Sequence, residues 1–159
     1  MAVTTGSIIK RLYSQQAALG DKAKNSDFYL EIAGFEGMGI MFKQFPWPVL
    51  SSGEPVEVAG PLGTKYWQPS QVKTNFQGAF TIAETPDGKA QAFLESIIGQ
   101  GGRANGKLYE GIPSDFTRVI RIFDIMFQVD SAIDRDWENN TQILLINGTA
   151  AFSFFGVEA

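Results

Sequence analysis

The side chains able to do chemistry in this chain are few in kind. Its 159 residues include 17 Asp and Glu and 13 Lys and Arg, but no histidine and no cysteine. Without histidine the chain lacks the commonest general base, the commonest transition-metal ligand and the usual switch near neutral pH. Without cysteine it lacks thiol catalysis, thiolate zinc sites and disulfides. Two spacings remain to be weighed. Gly101-Gly102-Arg103-Ala104-Asn105-Gly106-Lys107 approaches a phosphate-binding loop, in which backbone N–H groups cradle phosphates and a Ser or Thr after the lysine holds magnesium. Here Leu108 follows the lysine, and the surrounding pattern is helix then strand, the reverse of what the loop needs. It reads as a connecting loop. The second spacing is Asp130, Asp134, Asp136 and Glu138. It lacks the central glycine of a calcium-binding EF-hand loop, and Arg135 dilutes its charge, so it reads as a solvated acidic hairpin end. No Gly-x-Ser-x-Gly elbow is present, and no two carboxylates are marked as a glycosidase pair. The expectation is no enzyme, no cofactor and no metal site.

The elements around these residues read as one mainly β domain over residues 1–159. Hydrophobic residues make up 44% and charged residues 19%, enough for a buried core in a chain of this length. Residues 1–25 carry Lys10, Arg11, Lys22 and Lys24 against Asp21. That segment is therefore +3, and the rest −7, within a net charge of −4. The balance gives no reason to expect a clamp on nucleic-acid phosphates. Ile8, Ile9, Leu12 and Tyr13 recur at helical spacing, with Ser7 placed to start and Gly20 to end an N-terminal helix. This helix either packs on its own domain or is an arm docking on a neighbouring subunit. Met1–Gly6 does not resemble a secretory leader, and no apolar run reaches a membrane span, so no membrane partner is expected.

Phe28, Leu30 and Ile32 alternate as a strand, and Phe76, Gly78, Phe80 and Ile82 as another. Between Gly34 and Phe42, Gly37 marks a turn into Ile40-Met41-Phe42. Five of the seven prolines fall between residues 45 and 70, together with Phe45, Trp47, Tyr66 and Trp67. Prolines at that density exclude a regular helix or a central strand. Large aromatics exposed to water would be costly. The segment is expected to be an ordered extended loop, with Val56-Glu57-Val58 free to pair at an edge. Its aromatics fill either the chain's own core or a partner's surface. Thr85-Pro86-Asp87 signals a helix start, Ala90, Phe93, Leu94, Ile97 and Ile98 form its apolar face, and Gly99 ends it. Two long strands are predicted at 116–130 and 141–155, each partly apolar on both faces. Strands of roughly 40–50 Å belong in a barrel or in a sheet shared between subunits.

This order resembles the tail tube proteins of tailed bacteriophages, particularly those with contractile tails. Its carriers are Phe28-Tyr29-Leu30-Glu31-Ile32, Phe45-Pro46-Trp47-Pro48 and Gly53-Glu54-Pro55-Val56-Glu57-Val58-Ala59-Gly60. The strand from Asn75 to Ile82 with its following helix, and Asp136-Trp137-Glu138-Asn139 leading to Phe154-Phe155-Gly156, complete them. The resemblance implies a β-barrel or sandwich of long antiparallel strands, with one packed helix and an N-terminal helix. It further implies a structural virion protein, made in the host cytoplasm, whose hexameric rings stack into the tail tube. The implied partners are further copies of itself, sheath and baseplate proteins, and DNA passing through the lumen without specific binding. A tube-initiating baseplate protein of the same fold, or a monomeric small-ligand-binding β-barrel, are the alternatives. Phe45, Trp47, Tyr66, Trp67, Ile122, Phe127, Leu145 and Phe152 are the candidate subunit-interface residues.

Overall fold

Strand-forming alternation dominates the computed structural model, which describes residues 5–157. In chain order the strands are β1 (Phe28–Ile32), β2 (Phe42–Gln44), β3 (Ser51–Ser52), β4 (Val56–Ala59) and β5 (Lys65–Gln68). Then come β6 (Val72–Lys73), β7 (Asn75–Ala83), β8 (Ala104–Ile112), β9 (Asp115–Gln128) and β10 (Leu145–Ser153). Two helices accompany them, α1 (Gly6–Ala18) and α2 (Lys89–Gly99). Six strands form one antiparallel sheet in the order β1-β8-β9-β10-β7-β2. The fold is mainly β, as the sequence implies, but the sheet does not close into a barrel. Its edge strands β1 and β2 are not paired with each other. A 3-10 segment, Glu36–Met41, joins them where the sequence suggested a turn followed by strand.

β9 shows why a long strand has apolar residues of both parities. Ile120 and Ile122 are buried, and then Ile125 is buried as well. Between them Asp124 takes a left-handed φ of 53°. Both neighbouring ladders slip by one residue there: Ala104 faces Ile125 while Gly106 faces Ile122, and Ala151 faces Met126 while Ser153 faces Phe123. The extra residue is a β-bulge, which reverses the side-chain phase and bends the strand. Asp tolerates this backbone region better than most residues, and the Asn105 Oδ1 accepts the Asp124 N–H at 3.2 Å. The first half of β9 is therefore laid along β8 and the second along β10, and both halves close on one core. That core runs through Leu30, Ile32, Leu108, Ile120, Ile122, Phe80, Ile82, Ile146, Phe152 and Phe154, with Phe93 and Ile97 of α2 packed on it.

Two boundaries differ from expectation. The strand expected over 141–155 begins at Leu145, so β10 has 9 residues against 14 in β9. Residues 129–144 form an irregular exposed segment. Helix α2 begins at Lys89, not at Pro86, because Gly88 sits at φ 78°, outside the helical region. Its N-terminus is capped from an unexpected place. The Glu84 carboxylate accepts the N–H groups of Thr85 (2.9 Å), Ala90 (2.9 Å) and Gln91 (3.0 Å). Three of the donors near the helix start are thereby satisfied, with the charge at the favourable end of the helix dipole. The Thr85 hydroxyl accepts the Lys89 N–H at 3.1 Å and donates to Asp87 at 2.7 Å, which holds that exposed carboxyl below its ordinary range. Ala90, Phe93 and Ile97 face the core, whereas Ile98 is exposed.

Candidate assembly surfaces

The Pro-rich segment is anchored at its base and free at its tip. Gly78 on β7 has no side chain where Pro46 crosses it, and an added Cβ would lie 2.6 Å from the Pro46 Cβ. This close approach seats Phe45 and Trp47 on the body. Phe45 stacks on Phe152 at 5.6 Å and meets Phe42 edge-on at 6.1 Å. Phe127 joins the same aromatic group, 5.0 Å from Phe80 and 5.9 Å from Phe93. The half-buried Trp47 carries the Arg118 guanidinium 5.1 Å from its ring, and Arg118 also lies 3.8 Å from Glu110. Phe45, Trp47, Phe127, Ile122 and Phe152 are thus gathered in or against this subunit's own core. Leu145 is half-buried at the start of β10, opposite Ala83.

Tyr66 and Trp67 lie elsewhere. β3 pairs with β6, and β4 pairs with β5, so residues 51–73 make a hairpin arm. Val56-Glu57-Val58 does pair, with Gln68, Trp67 and Tyr66, inside the arm and not at the edge of the main sheet. Val56, Val58 and Tyr66 share one face of the ribbon, while Glu57, Trp67 and Lys65 share the other, where Lys65 and Glu57 approach to 3.3 Å. Neither face covers a core: Tyr66 is 60% and Trp67 67% exposed. At the tip, Leu62 is fully exposed in a left-handed conformation, φ 56°. Gly60 donates to the Thr64 carbonyl at 2.6 Å and closes this turn. A two-stranded ribbon alone in water is at best marginally stable. The tip thus sets an exposed leucine in a backbone region that side chains other than glycine seldom adopt. Sequence reasoning missed Leu62, because Pro-Leu-Gly reads simply as a turn.

The outer face of the β2–β7–β10–β9 part of the sheet has a different character. Register places Asn147 opposite Thr81, Thr149 opposite Ala79 and Gln128, and Ala151 opposite Gln77 and Met126. Ser153 faces Asn75. The Thr81 hydroxyl lies 2.9 Å from Asn147 Oδ1 and 3.2 Å from Gln44 Oε1. Away from the bulge at Asp124, these facing positions are uncharged and mostly small.

The motifs weighed for chemistry end in structural roles. Gly101 and Gly102 lie just beyond the end of α2, and Lys107 is mid-strand, facing Arg121 across β8 and β9. Asp130, Asp134, Asp136 and Glu138 lie exposed in the 129–144 segment, and among the described residues no three acids converge as metal ligands. Tyr109 is buried beside Glu31, 3.5 Å away. Burial first, and that carboxylate second, raise its hydroxyl above the ordinary tyrosine value. Where a barrel would hold a ligand, Phe80, Ile82 and Ile122 are fully buried and fill the interior. The grooves described are on the surface, one of about 500 Å3 between Lys24, Lys43, Trp47 and Arg118. No described helix is long and apolar enough to cross a membrane.

No protein-family model matches the chain. No curated protein matches it either. Solved structures do share its fold. A chain of the PVC sheath–tube complex, an extracellular contractile injection system in the extended state, aligns with TM-score 0.53 and 12% identity over 97% of this chain and 96% of that one. The sheath/tube terminator of the same system aligns with TM-score 0.55 and 10% identity over 87% and 96%. The tube-terminating cap of the anti-feeding prophage aligns with TM-score 0.51 and 12% identity over 84% and 87%.

Proposed function

We propose that this chain is a structural, non-enzymatic subunit of a contractile tail, forming hexameric rings that stack into the inner tube beneath a sheath. The observation that carries this is the contrast between its surfaces. The sheet offers a mostly polar face that is uncharged along β7 and β10, whereas the hairpin arm and its tip leave Tyr66, Trp67 and Leu62 in water. Apolar surface presented on projections is what subunit contacts bury. The fold shared with components of contractile injection systems supports the same reading. The uncharged face lines the lumen in this reading. Along β7 and β10 the wall carries no charged side chain, and at the end where Lys73 and Arg103 adjoin it Asp124 shares the same groove, so in this reading the polymer passes without specific binding.

Electron microscopy of the purified chain tests the assembly: rings or tubes are expected, and a dispersed subunit at every concentration refutes it. A gel-shift titration tests the lumen. Wild-type assemblies should not retain double-stranded DNA at about 0.15 M salt, where fields are screened within about 8 Å. Thr149→Lys should introduce retention that falls steeply with salt, because each new lysine–phosphate contact releases counterions. Equal DNA retention by both proteins would remove the β7–β10 face from the lumen.

A further inference from the structure

Helix α1 is amphipathic, yet it covers nothing in its own subunit. None of its residues is buried, and Ile9, Leu12 and Tyr13, at i, i+3 and i+4, are 55%, 55% and 71% exposed. Lys10 lies at the edge of this stripe nearest Tyr13, Arg11 lies on the far side of the helix, and Lys22 and Lys24 follow it. Among the described residues none of these four cations has a carboxylate partner, since the ion pairs found are Lys65–Glu57 and Arg118–Glu110. With Asp21 included, the segment carries +3.

A second segment of the same chain mirrors it. Residues 129–144 join β9 to β10 without regular structure. A connection longer than about 12–15 residues is uncommon in a compact domain unless it has a binding role or is disordered. Asp130, Asp134, Asp136 and Glu138 against Arg135 give it −3. It too displays apolar side chains, with Trp137 fully exposed and Ile143 63% exposed. It has local order of its own, since Asp136 Oδ1 accepts the Glu138 N–H at 3.0 Å and the Asn139 amide donates to Gln142 at 3.0 Å.

We propose that α1 of one copy docks its Ile9–Leu12–Tyr13 stripe on the 129–144 segment of a second copy, with Lys10 at the stripe's edge set against Asp134 and Asp136 and Arg11 adding to the basic field from the far side of the helix. Opposite net charges of equal size steer the two surfaces together and fix their register, and the apolar side chains supply the buried centre. Each chain owns one helix and one acceptor segment, so the contact is heterologous: copy one grips copy two, and copy two grips copy three. Such a head-to-tail contact closes a ring when the rotation allows it. The inference rests on the self-assembly reading above, but it assigns a contact distinct from the hairpin arm.

The absence of cysteine makes a direct test clean. Leu12→Cys and Trp137→Cys are introduced on separate chains, which are mixed, assembled and oxidised. The expected product is a disulfide-linked heterodimer of the two variants, absent when either is oxidised alone. Assembly without that cross-link overturns this inference and leaves the tube reading standing. Failure of the chains to assemble at all, with wild type equally dispersed, overturns both. A double variant with both cysteines on one chain should cross-link between molecules; a purely intramolecular disulfide would show that α1 folds back in cis and would sink the proposal. As an independent readout, Lys10→Glu with Arg11→Glu should weaken self-association at least about 10-fold. Mixing with Asp134→Lys/Asp136→Lys chains should recover much of the loss. No recovery in the charge-swapped mixture would count against the register proposed here.

Discussion

Removal of the Trp67 ring separates assembly from folding. Trp67 sits on an arm that covers no core and keeps 67% of its surface in water. A tryptophan offers about 250 Å2 of surface, so roughly 170 Å2 remains for a partner to cover. At about 25 cal/mol per Å2, full coverage corresponds to about 4 kcal/mol per contact. Imperfect pairing and ordering of the arm reduce this to about 2–4 kcal/mol. The association constant at each contact should then fall by about 30- to 1,000-fold in Trp67→Ala. The isolated subunit should lose no more than about 0.5 kcal/mol, as for most exposed substitutions. Sedimentation velocity over a dilution series reads the first quantity, and urea unfolding of dissociated subunits reads the second. Ile122→Ala is the contrasting control. Its side chain is fully buried, so subunit stability itself should fall by about 2–5 kcal/mol. Trp67→Ala assembling at the wild-type concentration would refute an interface role for the arm. A loss of subunit stability comparable to that of Ile122→Ala would instead show that the arm folds as part of the core.

Other outcomes follow from single contacts. Glu84→Ala strips a charged acceptor from three N–H groups at the start of α2 and should cost about 2 kcal/mol in urea unfolding, while Glu84→Gln, which keeps one carbonyl acceptor, should cost about half as much. At the β9 bulge, Asp124→Val should destabilise by about 1–2 kcal/mol more than Asp124→Asn, because a β-branched residue resists the left-handed region; equal midpoints would refute the strain argument. Tyr109 should ionise above the ordinary tyrosine value in a tyrosinate absorbance titration. Because its folded value is raised, the stabilisation is fully present below the unfolded value of about 10 and is lost as pH rises toward the folded value. A Tyr109→Phe variant should flatten that alkaline loss, and an unchanged alkaline profile would contradict it.

Much of the sheet was legible because alternation is a local property. Phe76, Gly78, Phe80 and Ile82 face inward along β7 as their spacing requires, and Leu30 and Ile32 do so along β1. β9 was legible as a strand but not as a phase. One left-handed residue, Asp124, moves the inward set from even to odd positions, and nothing in the order of side chains marks which residue is the extra one. The helix start was misplaced for a related reason. Thr85-Pro86-Asp87 has the composition of a start, but Gly88 turns the chain, and the cap comes from Glu84, at the end of β7. The candidate interface residues divide according to contacts that only tertiary structure supplies. Ile122 and Phe152 are spent inside the subunit, Trp47 is held on its body by Arg118, and Tyr66 and Trp67 are carried outward on a ribbon. The 129–144 segment, read as part of a strand beyond Thr141, contributes no ladder pair before Leu145.

The distribution of exposed apolar side chains has a mechanical consequence. Inside, the subunit is finished: among the described residues no buried side-chain nitrogen or oxygen lacks a partner, and the aromatic group around Phe42, Phe45, Phe127 and Phe152 closes under α2. Outside, much of the large apolar exposure is carried on projections: α1, the 51–73 arm, and the 129–144 segment. Projections of this kind have few contacts with the core, so they can reorient or order on association without disturbing it. The core of one copy is complete without residues from these projections. The subunit can present arms in more than one direction from a body whose polar sheet face stays open. Substitutions in the body should therefore change how much folded subunit exists, whereas substitutions on the projections should change what that subunit joins. Charge sharpens the division, since the basic α1 segment and the acidic 129–144 segment differ in sign while the β7–β10 face carries none. High salt should consequently weaken contacts made by the charged projections and leave subunit folding nearly unaffected, because exposed pairs are screened while the apolar core is not.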